Sequence, residues 1–249
     1  MPRYLLRVAY DGTDFAGYQR QSSERTVQAA LETALAAIWS QALATTAAGR
    51  TDAGVHATGQ YVSFLAPDRR VPTERIAAAI NTHLPDDVRI TAARTVDDSF
   101  HARYDARMRH YRYHLASVPV LEPHRRRYVW RVRDDLDFGR MQSDAAVLEG
   151  AHDFATFAAA GAADDCVRQV TYAHFVQRDD QMVFAIGANG FLWKMVRSIV
   201  GTLVERETAR LRGQRCAPMA QVLGAADRSL AGTTAPPHGL FLYEVDYAR

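Results

Sequence analysis

The stretch GRTDAGVH, residues 49–56, lies between two segments that predict β-strands, a weak one at 42–48 and a clearer one at 60–65. Glycines in and just after the stretch permit unusual backbone conformations and let a ligand approach the main chain. Arg50, two residues before Asp52, favours the ionised form of that carboxylate, and an ionised aspartate shielded from water is a candidate nucleophile. The structural alternative is that Asp52 closes an Asx-turn and that Arg50 is a surface residue. His56 is either a hydrogen-bonded structural group or a general base.

The first half of the chain predicts strands and helices around this stretch. Residues 4–10 alternate in polarity and run into a turn, which predicts a strand. From Val27, apolar residues recur at spacings of four, four and three, the stripe of an amphipathic helix with Thr26 as its N-cap. A helix over 72–80 and a strand over 88–96 complete a βαββαβ-like order.

The second half repeats this mixed pattern. Its predicted elements are a strand over 109–117, a helix over 136–148, a hairpin of 167–175 and 182–187 around Asp179-Asp180, a long helix over 191–211, a short helix from Pro218 and a last strand over 240–247. Two mixed halves of similar order predict an α+β fold with antiparallel sheets rather than a doubly wound parallel sheet. The expected domains are 1–105, which carries the Asp52 loop, and 106–249, which completes a central catalytic cleft.

The composition is that of a folded protein without a membrane span. The 249 residues are 48% hydrophobic and 23% charged, which suffices for a sizeable core. No run reaches the roughly 18 uncharged apolar residues that a spanning helix needs. The first residues alternate like a strand and lack the basic and then apolar layout of a signal peptide, so we expect a cytoplasmic protein. Cys166 and Cys216 have no disulfide-scaffold or zinc-binding spacing and are expected to be free, mostly buried thiols.

Common catalytic and cofactor-binding motifs are absent from the sequence. It contains no GxxxxGK[ST], no GxGxxG after a strand, no HExxH and no GxSxG. These absences disfavour nucleotide hydrolysis, hydride transfer and zinc proteolysis. The sequence therefore shows no fingerprint of a cofactor site and no cluster of metal ligands.

Positive charge is concentrated in residues 103–133. The whole chain has 30 basic and 28 acidic residues, a formal charge of only +2. Between 103 and 133, nine arginines stand against Asp105 and Glu122, and four tyrosines are interleaved with them. Basic and aromatic residues together indicate a nucleic-acid partner. The alternative is an ordinary solvated surface, because Lys194 is the only lysine and arginine takes over its usual role.

Seven stretches occur in a recognisable order along the chain. They are VAYDG (8–12), QRQ (19–21), GRTDAGVH (49–56) with TGQ (58–60), NTHLP (81–85), FHAR (100–103), RHYRY (109–113) and FLWKMVRSIVG (191–201). Together they resemble the tRNA pseudouridine synthase A family over nearly the whole chain. The resemblance implies an isomerase that converts uridine to pseudouridine at positions 38–40 of the tRNA anticodon stem-loop without a cofactor. It also implies a homodimer in which one tRNA reaches across both subunits.

The resemblance assigns roles to individual residues. Asp52 matches the catalytic aspartate of the family, Arg50 is its neighbour in the motif, and Arg197 matches the arginine that pairs with the aspartate. Tyr111 matches the tyrosine that packs on the target base. The remaining residues expected to contact the substrate are Phe100, His101, Arg103 and Arg109. One departure is Tyr18, which stands where the family usually has tryptophan.

Two other functions use the same residues differently. An RNA-binding protein without chemistry would rely on the arginine and tyrosine surface, with a structural Asp52. A metal-free ribonuclease would use His56 and His101 as acid and base, and it would shorten its RNA, whereas an isomerase leaves length and mass unchanged. Three residues at the start of the predicted long helix are expected to belong to the core and not to a base-stacking platform: Phe191, Trp193 and Met195.

Overall fold

The computed structural model describes residues 1–132, 136–159, 165–178 and 180–248, so Arg133 and Asp179 of the predictions lie outside the described residues. Within these ranges the strands are β1 (Arg3–Tyr10), β2 (Thr45–Ala47), β3 (His56–Leu65), β4 (Val88–Val96), β5 (Ala106–Ala116), β6 (Trp130–Arg131), β7 (Gly150–Asp153), β8 (Val167–Arg178), β9 (Gln181–Ala188) and β10 (Leu240–Tyr247). The α-helices of the same ranges are α1 (Val27–Trp39), α2 (Ile76–Asn81), α3 (Phe138–Ala146), α4 (Met195–Leu211) and α5 (Met219–Gly224). These helices and mainly antiparallel strands confirm the predicted α+β class.

The chain forms two compact units, Met1–Arg107 with Phe241–Arg249, and Met108–Leu240. The domain limits expected from the sequence, 1–105 and 106–249, stay a prediction. The compact units differ from them chiefly in the last strand, most of which groups with the first unit.

The sheet of the first unit has the order β4-β1-β3-β10. β1 pairs antiparallel with both β3 and β4, and its side chains Leu6 and Val8 are completely buried. β2 adds three antiparallel pairs to β3. β10 runs parallel to β3, with Phe241 opposite His56 and Leu242 opposite Ala57.

Helix α1 covers this sheet with the stripe predicted from its apolar spacing. The Thr26 side chain accepts the N–H of Ala29, which confirms the predicted N-cap. Leu31 and Leu35 are completely buried, and the ring of Trp39 meets Phe64 of β3 edge-on, with 5.6 Å between ring centroids. Burying each of these leucines contributes about 1.5–3 kcal/mol relative to exposure, so hydrophobic burial holds α1 on the sheet.

The sheet of the second unit has the antiparallel order β5-β9-β8-β7, with β6 parallel to the end of β5. Helix α4 is buried along most of its length. A Cβ atom at Gly201 of α4 would lie 1.8 Å from the Thr233 carbonyl oxygen. Only glycine at this position therefore lets the main chain around Thr233 cross the helix. α4 begins at Met195, four residues later than predicted, and Lys194 before it has a φ of +61°.

Two further expectations concern membranes and cysteines. Among the helices of the described ranges, none has the length and apolarity needed to cross a bilayer. Cys166 and Cys216 are half-buried, so the expectation of two buried thiols is met only in part.

Candidate active site

The loop between β2 and β3 carries Asp52, and a second loop, which follows β1, holds it in place. The N–H of Tyr18 donates to the carbonyl oxygen of Thr51 at 3.0 Å. The N–H of Gly54 donates to the carbonyl oxygen of Phe15 at 3.3 Å. These two bonds fix the main chain on both sides of Asp52.

Two glycines let these loops lie so close together. Gly17 has a φ of +103°, and a Cβ atom there would lie 2.9 Å from the Thr51 carbonyl oxygen. A Cβ atom at Gly12 would lie 2.0 Å from the carbonyl oxygen of Val55. A side chain at either position would therefore displace the loop that carries Asp52.

Asp52 is half-buried and begins a turn that the main chain closes. Its carbonyl oxygen accepts the N–H of Val55 at 3.1 Å, and Gly54 within the turn has a φ of +75°. A main-chain hydrogen bond therefore closes the turn. Arg50 is exposed and forms no ion pair with any residue in the described ranges, so an ion pair between Arg50 and Asp52 is not present.

Thr51, next to Asp52, is bound to a buried tyrosine. Tyr10 Oη and Thr51 Oγ1 are 2.8 Å apart, and both side chains are buried. Burial raises the pKa of Tyr10 to about 12, so the phenol keeps its proton at neutral pH. Tyr18 lies beside Tyr10 with 6.5 Å between ring centroids, and burial raises its pKa too. An aromatic ring is thus retained at the position where the resemblance implies tryptophan.

His56 is the first residue of β3 and not a loop residue as predicted. Its ring is buried and stacks on Phe241, with 4.6 Å between centroids. Nδ1 accepts the N–H of Gly12 at 3.0 Å, so this nitrogen carries a lone pair even though Asp11 Oδ1 lies 3.2 Å away. These contacts favour the structural interpretation of His56 over a role as general base.

His101 organises a tight turn over residues 100–105. Its Nδ1 accepts the N–H groups of Arg103 at 3.2 Å and Tyr104 at 3.3 Å, and its own N–H donates to Asp105 Oδ2 at 2.8 Å. The side chains of Arg103 and Tyr104 are exposed, Tyr104 to 75%. His101 therefore supports the turn, while Arg103 and Tyr104 project from it.

The 100–105 turn is not next to Asp52. Phe100 packs on Tyr247 at the end of β10, with 5.1 Å between ring centroids. The Asp52 loop leads into the first residue of β3, which lies beside Phe241 at the start of β10. The six residue steps between Phe241 and Tyr247 span about 20 Å at the usual strand rise.

Two predicted substrate contacts lie on β5 in the second unit. Tyr111 is buried, and its ring meets Phe191 edge-on with 5.0 Å between centroids. Arg109 lies two residues earlier and therefore on the same face of the strand. Its Nη1 donates to the carbonyl oxygen of Asn189 at 2.8 Å. Packing thus fixes the Tyr111 ring, and the Arg109 guanidinium is partly engaged by the protein.

Arg197 lies in the first turn of α4 and is bound to the chain near Ala235. Its Nε donates to the Ala235 carbonyl oxygen at 2.8 Å, and its own carbonyl oxygen accepts the Ala235 N–H at 3.0 Å. The side chain is half-buried. These bonds hold the guanidinium in one place and keep it from extending freely into solvent.

Trp193 does not belong to the core, so that expectation was wrong. Met195 is completely buried and Phe191 is half-buried against Tyr111, but Trp193 is 55% exposed. The sequence holds a signal that could have shown this. Leu192 and Met195 are spaced by three and fall on the apolar stripe that continues along the helix, whereas Trp193 falls off it.

Not all of the positive charge in residues 103–133 faces solvent. Arg125 is paired with Asp180 through both Nη atoms, at 2.5 and 3.0 Å, and with Glu122 at 2.9 Å. Arg126 and Arg127 beside it are exposed. Arg125 is therefore a structural residue, and Arg126 and Arg127 are the better candidates for phosphate contacts.

The first unit thus offers a half-buried carboxylate on a fixed loop. The second unit offers a buried tyrosine that packs on a half-buried phenylalanine, and a half-buried arginine. Such groups suit nucleophilic chemistry on a flat, uncharged ring. Within the described residues, the His, Cys, Asp and Glu side chains form no group of three or more that could hold a metal ion.

Comparison with known proteins identifies the family. The family model described as tRNA pseudouridine synthase matches residues 7–105 and 145–248, which include Asp52 and Arg197. The tRNA pseudouridine synthase A of Shouchella clausii (strain KSM-K16) is 44% identical, with 100% of this chain and 95% of the relative covered. That of Halalkalibacterium halodurans is 44% identical over 96% of this chain and 90% of the relative, and that of Thermotoga sp. (strain RQ2) is 40% identical over 98% and 99%. The resemblance seen in the motifs is confirmed: the chain belongs to the tRNA pseudouridine synthase family and is an enzyme of the isomerase class.

Proposed function

We propose that this enzyme converts uridine to pseudouridine at positions 38–40 of the tRNA anticodon stem-loop, with Asp52 as nucleophile and without a cofactor. The loop geometry of Asp52 carries the proposal. The loop that follows β1 fixes the main chain on both sides of this residue, and a main-chain hydrogen bond closes its turn. The main chain therefore sets the position from which the side chain extends. The match of residues 49–56 to the family motif and the name of the relatives support the same conclusion.

The reaction needs a nucleophile but no outside energy source. The N1–C1′ bond of uridine breaks, the ring turns, and C5 bonds to C1′, while a proton leaves C5 and another is taken up at N1. Mass and oxidation state stay unchanged. A carboxylate can bond transiently to the sugar at C1′ after glycosidic cleavage, and it then leaves C1′ as the C5–C1′ bond forms. It can instead bond to the ring, and it then leaves the ring after the C5–C1′ bond has formed. Both routes require the ionised form of Asp52, and from the family motif we take Arg197 as the cation that stabilises it.

The target base must leave its stack before it can react. Tyr111 is the proposed receiving surface, because Phe191 holds its ring edge-on and a fixed aromatic face stacks on a base without first being ordered. Arg109 on the same strand face is the proposed contact to the neighbouring backbone.

The 100–105 turn is the proposed second contact to the RNA. Phe100 and His101 hold the turn, and Arg103 projects from it. Because about 20 Å of strand separates this turn from the start of β10, only an extended substrate reaches both regions. A tRNA has that length. The family resemblance also supports a homodimer that acts on tRNA in the cytoplasm, and light scattering of the purified protein measures its mass in solution.

Pseudouridine mapping of unmodified tRNA tests the proposal. We expect the wild-type enzyme to modify positions 38–40. Asp52→Asn keeps the size of the side chain but removes its charge and nucleophilicity, so it should form no detectable product while tRNA affinity and melting temperature stay near the wild-type values. Asp86→Asn, at a fully exposed carboxylate, is the matched control and should retain activity.

Several outcomes would contradict this proposal. Turnover by folded Asp52→Asn protein would remove the nucleophile assignment. Shortened RNA would indicate the ribonuclease, and tRNA binding without any product from the wild type would indicate an RNA-binding protein. The same assay on Arg197→Ala, for which we expect a reduced but measurable rate, tests the proposed cation.

A further inference from the structure

Trp193 has a large apolar side chain that lies at the surface, although the nearby residues Leu192 and Met195 are buried. It is 55% exposed, whereas Leu192 before it is 7% exposed and Met195 after it is fully buried. Exposing an indole forgoes the free energy that its burial would contribute. A binding role would account for an exposed aromatic at this position.

The main chain fixes the direction of Trp193. Its carbonyl oxygen accepts the N–H of Ala159 at 3.0 Å, and the N–H of Met195 donates to Leu192 at 3.1 Å. Lys194 has a φ of +61°, a conformation that costs a non-glycine residue of order 1 kcal/mol or more. The surrounding contacts impose this conformation, and it places Trp193 outside the helix that starts at Met195.

A positive charge accompanies the ring. The Nζ atom of Lys194, the only lysine in the chain, lies 4.8 Å from the centroid of the Trp193 ring. An aromatic face beside an ammonium group matches a nucleotide, in which a flat base is linked to a phosphate. An apolar protein partner would gain nothing from the charge.

Trp193 is also close in sequence to groups with proposed substrate roles. Phe191, two residues earlier, supports the ring of Tyr111, and Arg197 follows in the first turn of α4. One segment of the second unit therefore carries three features that suit an unstacked RNA strand. A nucleotide adjacent to the flipped target has lost a stacking neighbour and can stack on another aromatic face.

We propose that Trp193, with Lys194, is a stacking platform for an unstacked nucleobase of the tRNA substrate, next to the nucleotide that reacts. The proposal rests on the proposed function and adds a substrate-binding residue to it. Trp193 stacks on the base, and Lys194 contacts an adjacent phosphate.

Intrinsic fluorescence reports directly on this platform. Of the three tryptophans, Trp39 is buried and Trp130 is half-buried, so Trp193 is the most exposed. A base stacked on its indole should quench its emission. We expect tRNA to quench the wild-type enzyme, and we expect most of that quenching to vanish in Trp193→Phe but to persist in Trp130→Phe, the matched control.

Affinity measurements separate stacking from a purely structural role. Trp193→Ala should weaken tRNA binding about fivefold to a hundredfold, the range for removal of one base-stacking aromatic. Trp193→Phe should restore most of the affinity because it keeps a ring. Lys194→Ala should lower the salt dependence by about one phosphate contact. Melting temperatures of the two Trp193 variants should match the wild type, since the Trp193 side chain is more than half exposed.

Unchanged tRNA affinity in Trp193→Ala, or equal quenching in Trp193→Phe and wild type, would overturn the platform. Both readouts use binding alone. A wild type that binds tRNA with Trp193 quenching but forms no pseudouridine would refute the proposed function and leave the platform standing. A wild type that forms pseudouridine without Trp193 quenching would support the proposed function and refute the platform.

Discussion

Tyr10 connects the buried end of β1 to the loop of the proposed nucleophile. Its hydroxyl lies 2.8 Å from Thr51 Oγ1, and both groups are shielded from water. A hydrogen bond in such a place is costly to break, because the remaining partner stays buried and unpaired. The Tyr10 hydroxyl is therefore a positioning group for the residue next to Asp52.

Tyr10→Phe should destabilise the protein by about 1–2 kcal/mol and lower kcat more than tRNA affinity. A double-mutant cycle with Thr51→Val, followed by denaturant unfolding, measures the coupling. The pKa of Tyr10 is raised to about 12 in the folded state, so its stabilisation is present below pH 10 and is lost as pH rises from 10 to 12. Wild type should lose more stability than Tyr10→Phe over that interval. Purely additive single variants would contradict the coupling.

Individual residues were predictable where local sequence determines their surroundings. The motif pointed to Asp52, and Gly54 within it has the positive φ of the turn. The glycines that let the second loop approach, Gly12 and Gly17, lie outside the motif. The pairing of Arg125 with Asp180, 55 residues away, could not be read from the sequence. Nor could the stacking of His56 on Phe241, which is still more remote along the chain.

Among the elements, α1 is joined to β2 through one carboxylate. Glu32 Oε1 accepts the N–H and the hydroxyl of Thr45 at 3.1 and 3.0 Å, and Oε2 pairs with Arg20 at 2.8 Å. Burial pushes the pKa of Glu32 up, but hydrogen bonds from Gln28, Arg20 and Thr45 outweigh burial and hold the pKa below its ordinary value. Because β2 leads into the Asp52 loop, Glu32 helps to anchor that loop.

Glu32→Gln should destabilise the folded state by about 1–3 kcal/mol at neutral pH, since it removes the charge and one acceptor oxygen. The folded-state pKa is lowered, so the wild-type advantage is present above the ordinary value of 4.5 and is lost as pH falls through the folded-state value. Unfolding curves between pH 7 and 3 measure this. Glu24→Gln, on the exposed loop before α1, is the control. A difference between wild type and Glu32→Gln that does not vary with pH would rule out the charge as its source.

Element boundaries followed local signals where these existed. α1 starts where Thr26 and the apolar stripe predict, because capping and amphipathicity are local properties. β3 starts at His56, earlier than predicted, because its first residues pair with β10 from the far end of the chain. α4 starts later than predicted, since the left-handed conformation of Lys194 interrupts an otherwise continuous apolar pattern.

At the scale of the whole molecule, the order of elements along the sequence predicted the fold class but not which unit the last strand joins. The α+β class followed from the alternation of elements. The return of the last strand to the first unit did not, because it depends on contacts such as that between Thr58 and Tyr243, 185 residues apart. The parallel ladder between β10 and β3 is short, with Phe241 opposite His56 and Leu242 opposite Ala57.

The near-neutral chain concentrates its arginines in residues 103–133, so tRNA affinity should depend on salt through a few of them. Arg126 and Arg127 are exposed, whereas the charge of Arg125 is offset by Asp180 and Glu122. Replacing both Arg126 and Arg127 with alanine should reduce the slope of log affinity against log salt by roughly 0.7–0.9 for each phosphate that is no longer neutralised. Arg125→Ala is the control and should leave the slope near the wild-type value, although it removes an ion pair. Filter binding or fluorescence titration between 50 and 300 mM salt, an interval of about sixfold in concentration, measures the slopes. An equal slope for the double variant and wild type would place the phosphate-binding residues elsewhere on the enzyme.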